Sequence, residues 1–275
     1  MVYLVAILVI GGLSFLQLLR KKNRDIWEEL FRQRAENQSV RTEIVELRKQ
    51  IVISGVSDST RLPLLMPSQY GEDVLLWKFF QNKRDGFYVD VGAYDGVGFS
   101  NTYFFEAIGW NGILIEPVPQ FYENCLAARP HSRVINLVVN NGETRATEFS
   151  IAEGNNGVGT LSFAGEDEKQ TERIEREGGK VRTITVPSCS LNEILANHQG
   201  TIDFVSIDVE GKEMDVLRGF DLIKFRPRVV IVEDNSNGVD KQVGDWFSAH
   251  DYKERFRCEH NVFYTRKDEA GSFHW

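Results

Sequence analysis

The stretch GFYVDVGAYDGVGFSNTYFFEAIGWNGILIEP, residues 86–117, decides the fold. Its apolar run Phe87-Tyr88-Val89 leads into Asp90, Val91 and Gly92. A short β-branched and aromatic run closed by turn residues predicts a buried parallel strand. Gly92-Ala93-Tyr94-Asp95-Gly96 is the turn, and the stretch with Thr102, Phe105, Glu106 and Ile108 has helical character. A second apolar strand, Gly112-Ile113-Leu114-Ile115, stops at Glu116 and Pro117. Strand, glycine turn, helix, strand and terminal acid is the sequence form of a nucleotide-binding βαβ unit. The glycines let backbone approach a ligand, and the acid can bind ribose hydroxyls.

A dinucleotide fingerprint needs Gly-x-Gly-x-x-Gly so that a pyrophosphate can sit on a helix N-terminus. Here the spacing is Asp90-x-Gly92-x-Tyr94-x-Gly96, with Asp95 adding a second acid beside the turn. Two carboxylates suit a pyrophosphate poorly and an ammonium and sulfonium well. The pattern resembles the first motif of class I S-adenosylmethionine (SAM) methyltransferases, with Tyr94 where a middle glycine often lies. The bland alternative is a βαβ turn that binds nothing.

Working outward, 275 residues accommodate one α/β domain of roughly 200 residues plus extra segments. A formal charge of −8 argues against a nucleic-acid surface, which would need a basic face. The five histidines are scattered. Cys125, Cys189 and Cys258 are odd in number and far apart, as single thiols of a reducing compartment would be.

Residues 2–19, VYLVAILVIGGLSFLQLL, carry no charge, and as a helix at about 1.5 Å per residue they just span a hydrocarbon core of roughly 30 Å. Arg20, Lys21, Lys22 and Arg24 follow at once, so the positive-inside rule places the remainder in the cytoplasm. We expect residues 1–19 to be a single-pass membrane anchor. Residues 20–53 read as a juxtamembrane helix with a stripe at Ile26, Leu30, Gln33, Asn37, Val40, Ile44, Leu47 and Ile51. This spacing fits either a short coiled coil, and so a homo-oligomer through 26–51, or a stalk packed on its own domain. Residues 54–67 hold Gly, Ser and two prolines and read as a linker, which leaves 68–275 as the globular domain.

That domain opens with SQYGED and the helical face Val74, Trp77, Phe79 and Phe80. After the βαβ unit we expect a helix over 120–129, a third strand over 133–139 and a short strand over 147–151. Residues 165–180, GEDEKQTERIEREGGK, read as a solvated excursion. Further strands are expected over 181–186, 202–207 and 229–232, with helices over 191–196, 213–219 and 242–250. An antiparallel pair, 252–256 and 262–265, ends the chain. The alternation predicts a doubly wound, mostly parallel sheet with its site at the strands' carboxyl ends.

Three strand ends carry acids: Glu116, Asp208 with Glu210, and Glu233 with Asp234. Asp208 lies where a substrate would meet a bound ligand, as general base or as metal ligand; Glu210 and Glu233 are candidate catalytic acids beside it. Asp208 and Glu233 together would suit a divalent cation such as Mg²⁺. A lone base is the other reading, with His260 a distant runner-up. Glu210 and Glu233 could instead pair with Lys212, Arg226 or Arg228 in surface salt bridges.

The segments SQYGEDVLL, FYVDVGAYDGVGFSNTYFFE, GILIEPVPQFYENC, VSIDVEGKEMDVLRGF and VVIVE together resemble the FkbM family of methyltransferases, over about residues 68–266. The resemblance implies a class I fold, SAM as donor, and O-methylation of a sugar, polyketide or similar hydroxyl. It implies that Asp90, Gly92, Tyr94, Asp95 and Gly96 hold the methionine part of SAM. Glu116 would hold the ribose, with Ser100 and Asn101 capping the next helix and Asn140 at the adenine end. Asp208 and Glu210 match the family's Ile-Asp-x-Glu-Gly motif. The anchor, the stalk and residues 165–180 fall outside the resemblance. The resulting expectation is an anchored SAM-dependent O-methyltransferase acting on a sugar, glycan or lipid-linked acceptor. The competing readings are a non-catalytic tethered scaffold and, less favoured by the missing glycine pattern, a nicotinamide oxidoreductase.

Overall fold

The computed structural model describes residues 38–56, 60–154, 158–236 and 238–273. The expected anchor, residues 2–19, and the basic group after it lie outside the described residues. Among the described residues no helix is long and apolar enough to cross a membrane. The chain divides into two compact units after Gln50. In the first, residues 38–50 are helical, and this helix, α1, runs on to residue 55.

The second unit is built on a seven-stranded sheet. In chain order it contains α2 (Glu72–Phe79), β1 (Phe87–Val91), α3 (Tyr103–Ala107), β2 (Asn111–Ile115), α4 (Pro119–Ala128) and β3 (Arg133–Ile135). After an interruption come α6 (Leu191–Ile194), β8 (Phe204–Ile207), α7 (Glu213–Arg218), α8 (Leu222–Phe225), β9 (Val229–Glu233), α9 (Gln242–Ala249), β10 (Tyr252–Cys258) and β11 (Asn261–Arg266). The strand order is β3-β2-β1-β8-β9-β11-β10. The first five are parallel, and β11 and β10 are antiparallel to their neighbours. The order reverses between β1 and β8, which is where an open α/β sheet leaves a crevice.

Side chains alternate across this sheet. Tyr88, Leu114, Phe204, Val229, Ile231 and Phe263 face one layer with Leu75, Leu76, Phe104, Phe105 and Trp110. Val89, Val91, Ile113, Ile115, Val205, Ile207, Val230 and Val232 face the other, with Val216, Leu217 and Phe247. Both faces are covered, so the strands read as continuous apolar runs.

Three expectations change. The run 133–139 is two strands, because Asn136 turns its side chain back to donate to the carbonyls of Glu116 and Pro117 (2.8 and 3.0 Å). Val138–Val139 (β4) leaves for a second, four-stranded sheet with β5 (Ala146–Glu153), β6 (Phe163–Ala164) and β7 (Lys180–Cys189), in the order β4-β7-β5-β6. The doubly wound sheet is therefore only part of the architecture. Second, the charged stretch 165–180 is no free excursion. It forms α5 (Glu168–Arg176), capped by the Asp167 carboxylate accepting from Gln170 N, and buries Ile174 against Ala152, Leu161 and Phe163. One apolar residue per turn face was enough to dock an otherwise charged helix. Third, the expected linker is partly structured: Met66 is buried in the core, Leu64 packs against it, and Arg61 N donates to Ala107 O (2.7 Å).

Candidate active site

β1 ends where β8 ends, and their contact shapes the site. Asp208 N donates to Val91 O at 3.0 Å, extending the ladder past both strands. Gly92 has φ +86°, and a Cβ there would lie 1.8 Å from the Asp208 carbonyl oxygen. Only glycine lets the two strand ends meet this closely. Above the junction is a cleft of about 450 Å³, within the range of small-molecule sites.

One end of the cleft is lined by Asp90, Gly92, Tyr94, Ser100, Asn101 and Glu116. Glu116 is almost fully buried; its two carboxylate oxygens accept from Val118 N (2.8 Å) and Tyr94 N (2.9 Å). Burial, against those two hydrogen bonds and with the charge of Asp90 added, pushes its carboxyl up to about 8. Asp90 is also buried and rises to about 6, with Thr102 and Arg129 opposing the desolvation. Tyr94, Phe99 and Glu210, three non-glycine residues around the cleft, sit in left-handed backbone (φ 50°, 58° and 51°). Such conformations persist where surroundings over-determine them, commonly at functional sites.

Asn101 donates to Ser206 Oγ of β8 (3.1 Å), and Ser100 Oγ accepts from Tyr103 N at the start of α3 (3.1 Å). An apolar slot of Val118, Phe121, Leu137, Val138 and Phe149 continues this end.

Three expected ligand residues lie elsewhere. Asp95 folds onto its own loop, its Oδ1 accepting from Val97 N (2.9 Å) and Gly98 N (2.7 Å). Gly96 lets the turn press on α4: an added Cβ would meet Arg129 Cγ at 3.1 Å and Cys125 Cα at 3.2 Å. Asn140 accepts from Gly142 N and donates to Thr144, holding a turn. None of the three lines the cleft.

The same cleft is lined by Asp208, Glu210 and Glu233 with Ser206, Asn235 and His260, next to Gly92 and Asn101. Asp208 is exposed to the open cleft. Desolvation deep in the cleft and the charges of Glu233, Glu210 and Glu213 nevertheless push its carboxyl well up. Glu210 rises to about 7, through burial and Glu233, opposed by Arg173 and Gln170. Its salt-bridge partner is none of the expected cations. Gln170 of α5 donates to Glu210 Oε2 at 3.0 Å and Arg173 lies 3.7 Å away, while Arg226 pairs with Asp268 and Arg228 with Glu269. Glu233 Oε2 and His260 Nδ1 are buried without a hydrogen-bond partner. Asp234 is taken by Arg257 (2.8 Å) and its own loop.

Asp208 and Glu233, the residues expected to suit a divalent cation, do not belong to a larger set of donors: among the described residues no group of three or more His, Cys, Asp or Glu could hold a metal ion.

Sequence reasoning missed several residues. Gln69 and Tyr70 line the cleft. They are fixed because Tyr70 N donates to buried Glu72 (2.8 Å), which also accepts from Asn261 (2.7 Å), and Ser68 N donates to buried Asp73 (3.1 Å). Two adjacent acids opening an apolar helix were the available signal. Arg173 of α5 and Glu177, its C-cap, also line the cleft, with no local signal. Beneath the glycine turn runs a fully buried network. Arg129 bonds Glu106 Oε2 (2.8 Å), Gly96 O (2.9 Å), Tyr88 Oη (2.6 Å) and Thr102 Oγ1 (3.1 Å). Thr102 in turn donates to Asp90 Oδ2 at 2.6 Å.

A family model described as Methyltransferase FkbM domain matches residues 90–255, running through 165–180 as well. No curated protein matches the chain. Solved structures with a related fold include a precorrin-6y C5,15-methyltransferase from Geobacter metallireducens GS-15. It is 11% identical, with 75% of this chain and 90% of that one covered, at a TM-score of 0.39. M. capricolum TrmK in complex with S-adenosyl-homocysteine is 12% identical (73% and 70% covered, TM-score 0.37). Aeropyrum pernix fibrillarin with natively bound SAM is 11% identical (66% of each, TM-score 0.37). At these identities and scores nothing about binding or activity passes to this chain.

Proposed function

Since the chain belongs to the FkbM methyltransferase domain family, we propose that its cleft binds SAM and transfers the methyl group to a hydroxyl of a sugar, glycan or lipid-linked acceptor. The observation that carries this reading is one cleft lined by two acidic pairs from the strand ends: Asp90 and Glu116 from β1 and β2, Asp208 and Glu233 from β8 and β9. The residues fit the donor. Asp90 offers a buried carboxylate to an ammonium, Glu116 offers acceptors to ribose hydroxyls, and the slot beside Phe121 offers an apolar wall to adenine. When bound, SAM supplies an electrophilic methyl on a sulfonium.

The chain's own part is positioning and proton removal. Ser206, Asn235, Gln69 and Tyr70 present polar groups to an acceptor's hydroxyls. Asp208 takes the proton as the acceptor oxygen attacks. A carboxyl raised well above the ordinary aspartate value, by desolvation and then by the neighbouring acids, is a better base than an ordinary aspartate. Glu210, clamped by Gln170 and Arg173, holds the loop after β8 against α5.

Glu116→Gln is expected to weaken SAM binding by about 1–3 kcal/mol, through loss of charge-assisted bonds to the ribose. A ligand that prefers the carboxylate binds more tightly as pH rises through the carboxyl's own value, about 8. Wild-type affinity should therefore increase between pH 7 and 9, and that increase should flatten in Glu116→Gln. Calorimetry across this range is the test. No heat with SAM, and no co-purified nucleoside, would end the enzyme reading.

The same reading makes residues 2–19 an anchor that holds the domain on the cytoplasmic face, near a membrane-borne acceptor. The domain should then resist protease in sealed right-side-out vesicles and be cleaved only after lysis. Digestion in intact vesicles would reverse the orientation.

A further inference from the structure

On α1, Val40, Ile44, Leu47 and Ile51 follow one another at spacings of four, three and four, and all four are exposed, Ile51 by 70%. Just beyond, Val52, Ile53 and Val56 pack against the domain's aromatic core. The end of the helix is thus fixed to the domain while Ile51 is left in solvent.

Heptad letters follow from the spacing: Ile44 and Ile51 take a, Val40 and Leu47 take d. The frame runs back through the sequence without a break, to Asn37 and Leu30 at a and Gln33 and Ile26 at d. Residues 26–37 enter through this sequence pattern alone. In the same frame the g positions are Glu29, Glu36, Glu43 and Gln50, and the e positions are Trp27, Arg34, Arg41 and Arg48.

In a parallel two-stranded coil each g residue faces the e residue five places further along the other chain. Glu29 then meets Arg34, Glu36 meets Arg41, and Glu43 meets Arg48, every pair of opposite sign. Antiparallel pairing sets g against g and e against e, which places Glu on Glu and Arg on Arg. Within the described helix, Ile44 at a with Leu47 at d is the pairing that favours two strands, and Asn37, the one Asn at an a position, would fix register. We propose that Val40, Ile44, Leu47 and Ile51 belong to a parallel, in-register seam with a second copy of this chain. Arg41 and Arg48 also have other interactions within the chain. The charge ladder therefore selects orientation and partner, and the apolar seam supplies the association. Parallel pairing carries two cleft-bearing domains at the same end of the coil. This inference stands independently of the methyltransferase reading.

The test uses the full chain in detergent, with its own three cysteines as background. Ile44→Cys, at a, should crosslink to its copy on mild oxidation, whereas Thr42→Cys, at the outward f position, should not. Sedimentation should give the mass of two chains. Glu36→Arg with Glu43→Arg should cut the Ile44→Cys crosslink by about tenfold or more, from like charges facing across the seam. Adding Arg41→Glu and Arg48→Glu to that variant should restore it. A monomeric mass, equal crosslinking at both cysteine positions, or indifference to the charge reversal would each overturn the proposal.

Discussion

Asp208→Asn should reduce methyl transfer by roughly 10²–10⁴ while leaving SAM affinity nearly unchanged, as expected for loss of a general base. The substitution keeps shape. The backbone bond from residue 208 to Val91 O and the close approach to Gly92 do not involve the side chain. What it removes is the proton acceptor among Glu233, Glu210 and Glu213. In the wild type, a base whose carboxyl is raised well above the aspartate range gains activity as pH rises through that raised value. The variant should lose this limb of the profile. Labelled SAM, presented with free and lipid-linked glycans, gives the rate; calorimetry gives the affinity. Full activity in Asp208→Asn would make the aspartate a structural residue. Inhibition of the wild type by a chelator would restore the metal route that the donor geometry does not support.

Arg129→Met should destabilise the fold by about 3–5 kcal/mol, the cost of leaving a buried charge without its partner. Arg129 and Glu106 are both completely buried, and their 2.8 Å pair ties α4 to α3 under the glycine turn. Burial pushes the Glu106 carboxyl up, but Arg129, Ser132, His131 N and Tyr88 outweigh it and hold it below the ordinary value. A lowered carboxyl contributes stability above its unfolded value and loses it as pH falls through the folded one. The wild type should accordingly weaken in acid, and Arg129→Met should weaken less steeply because its Glu106 is no longer held down. Urea unfolding at neutral and acid pH measures both effects. Arg129→Met with Glu106→Gln should recover part of the loss, since no isolated charge then remains. If Arg129→Met costs less than about 1 kcal/mol, in the range of an exposed pair, the network is not what holds the turn.

The local sequence determined the parallel strands, because β-branched and aromatic runs such as 87–91, 204–207 and 229–233 fit only a sheet covered on both faces. It also determined that acids end those strands, and the strand-glycine-acid pattern around Gly92 was enough to suggest the family. Gly92 itself was legible as a turn residue; that it must be glycine because Asp208 O lies against it depended on the two strand ends meeting. Strand ends 118 residues apart in sequence, at Asp90 and Asp208, share a cleft only because the sheet order reverses between them. Asp95 and Asn140 carry the right side chains for binding but hold turns off the cleft, whereas Glu116 accepts two backbone amides and still lines it. The helix over 168–176 was hidden because a single buried Ile174 is too weak a periodic signal among so many charges, although that residue brings Arg173 to the site. Arg129, Thr102 and Glu106 were invisible for a different reason. A buried charge is stable only when its partners converge from other elements, and no local pattern states which elements will meet.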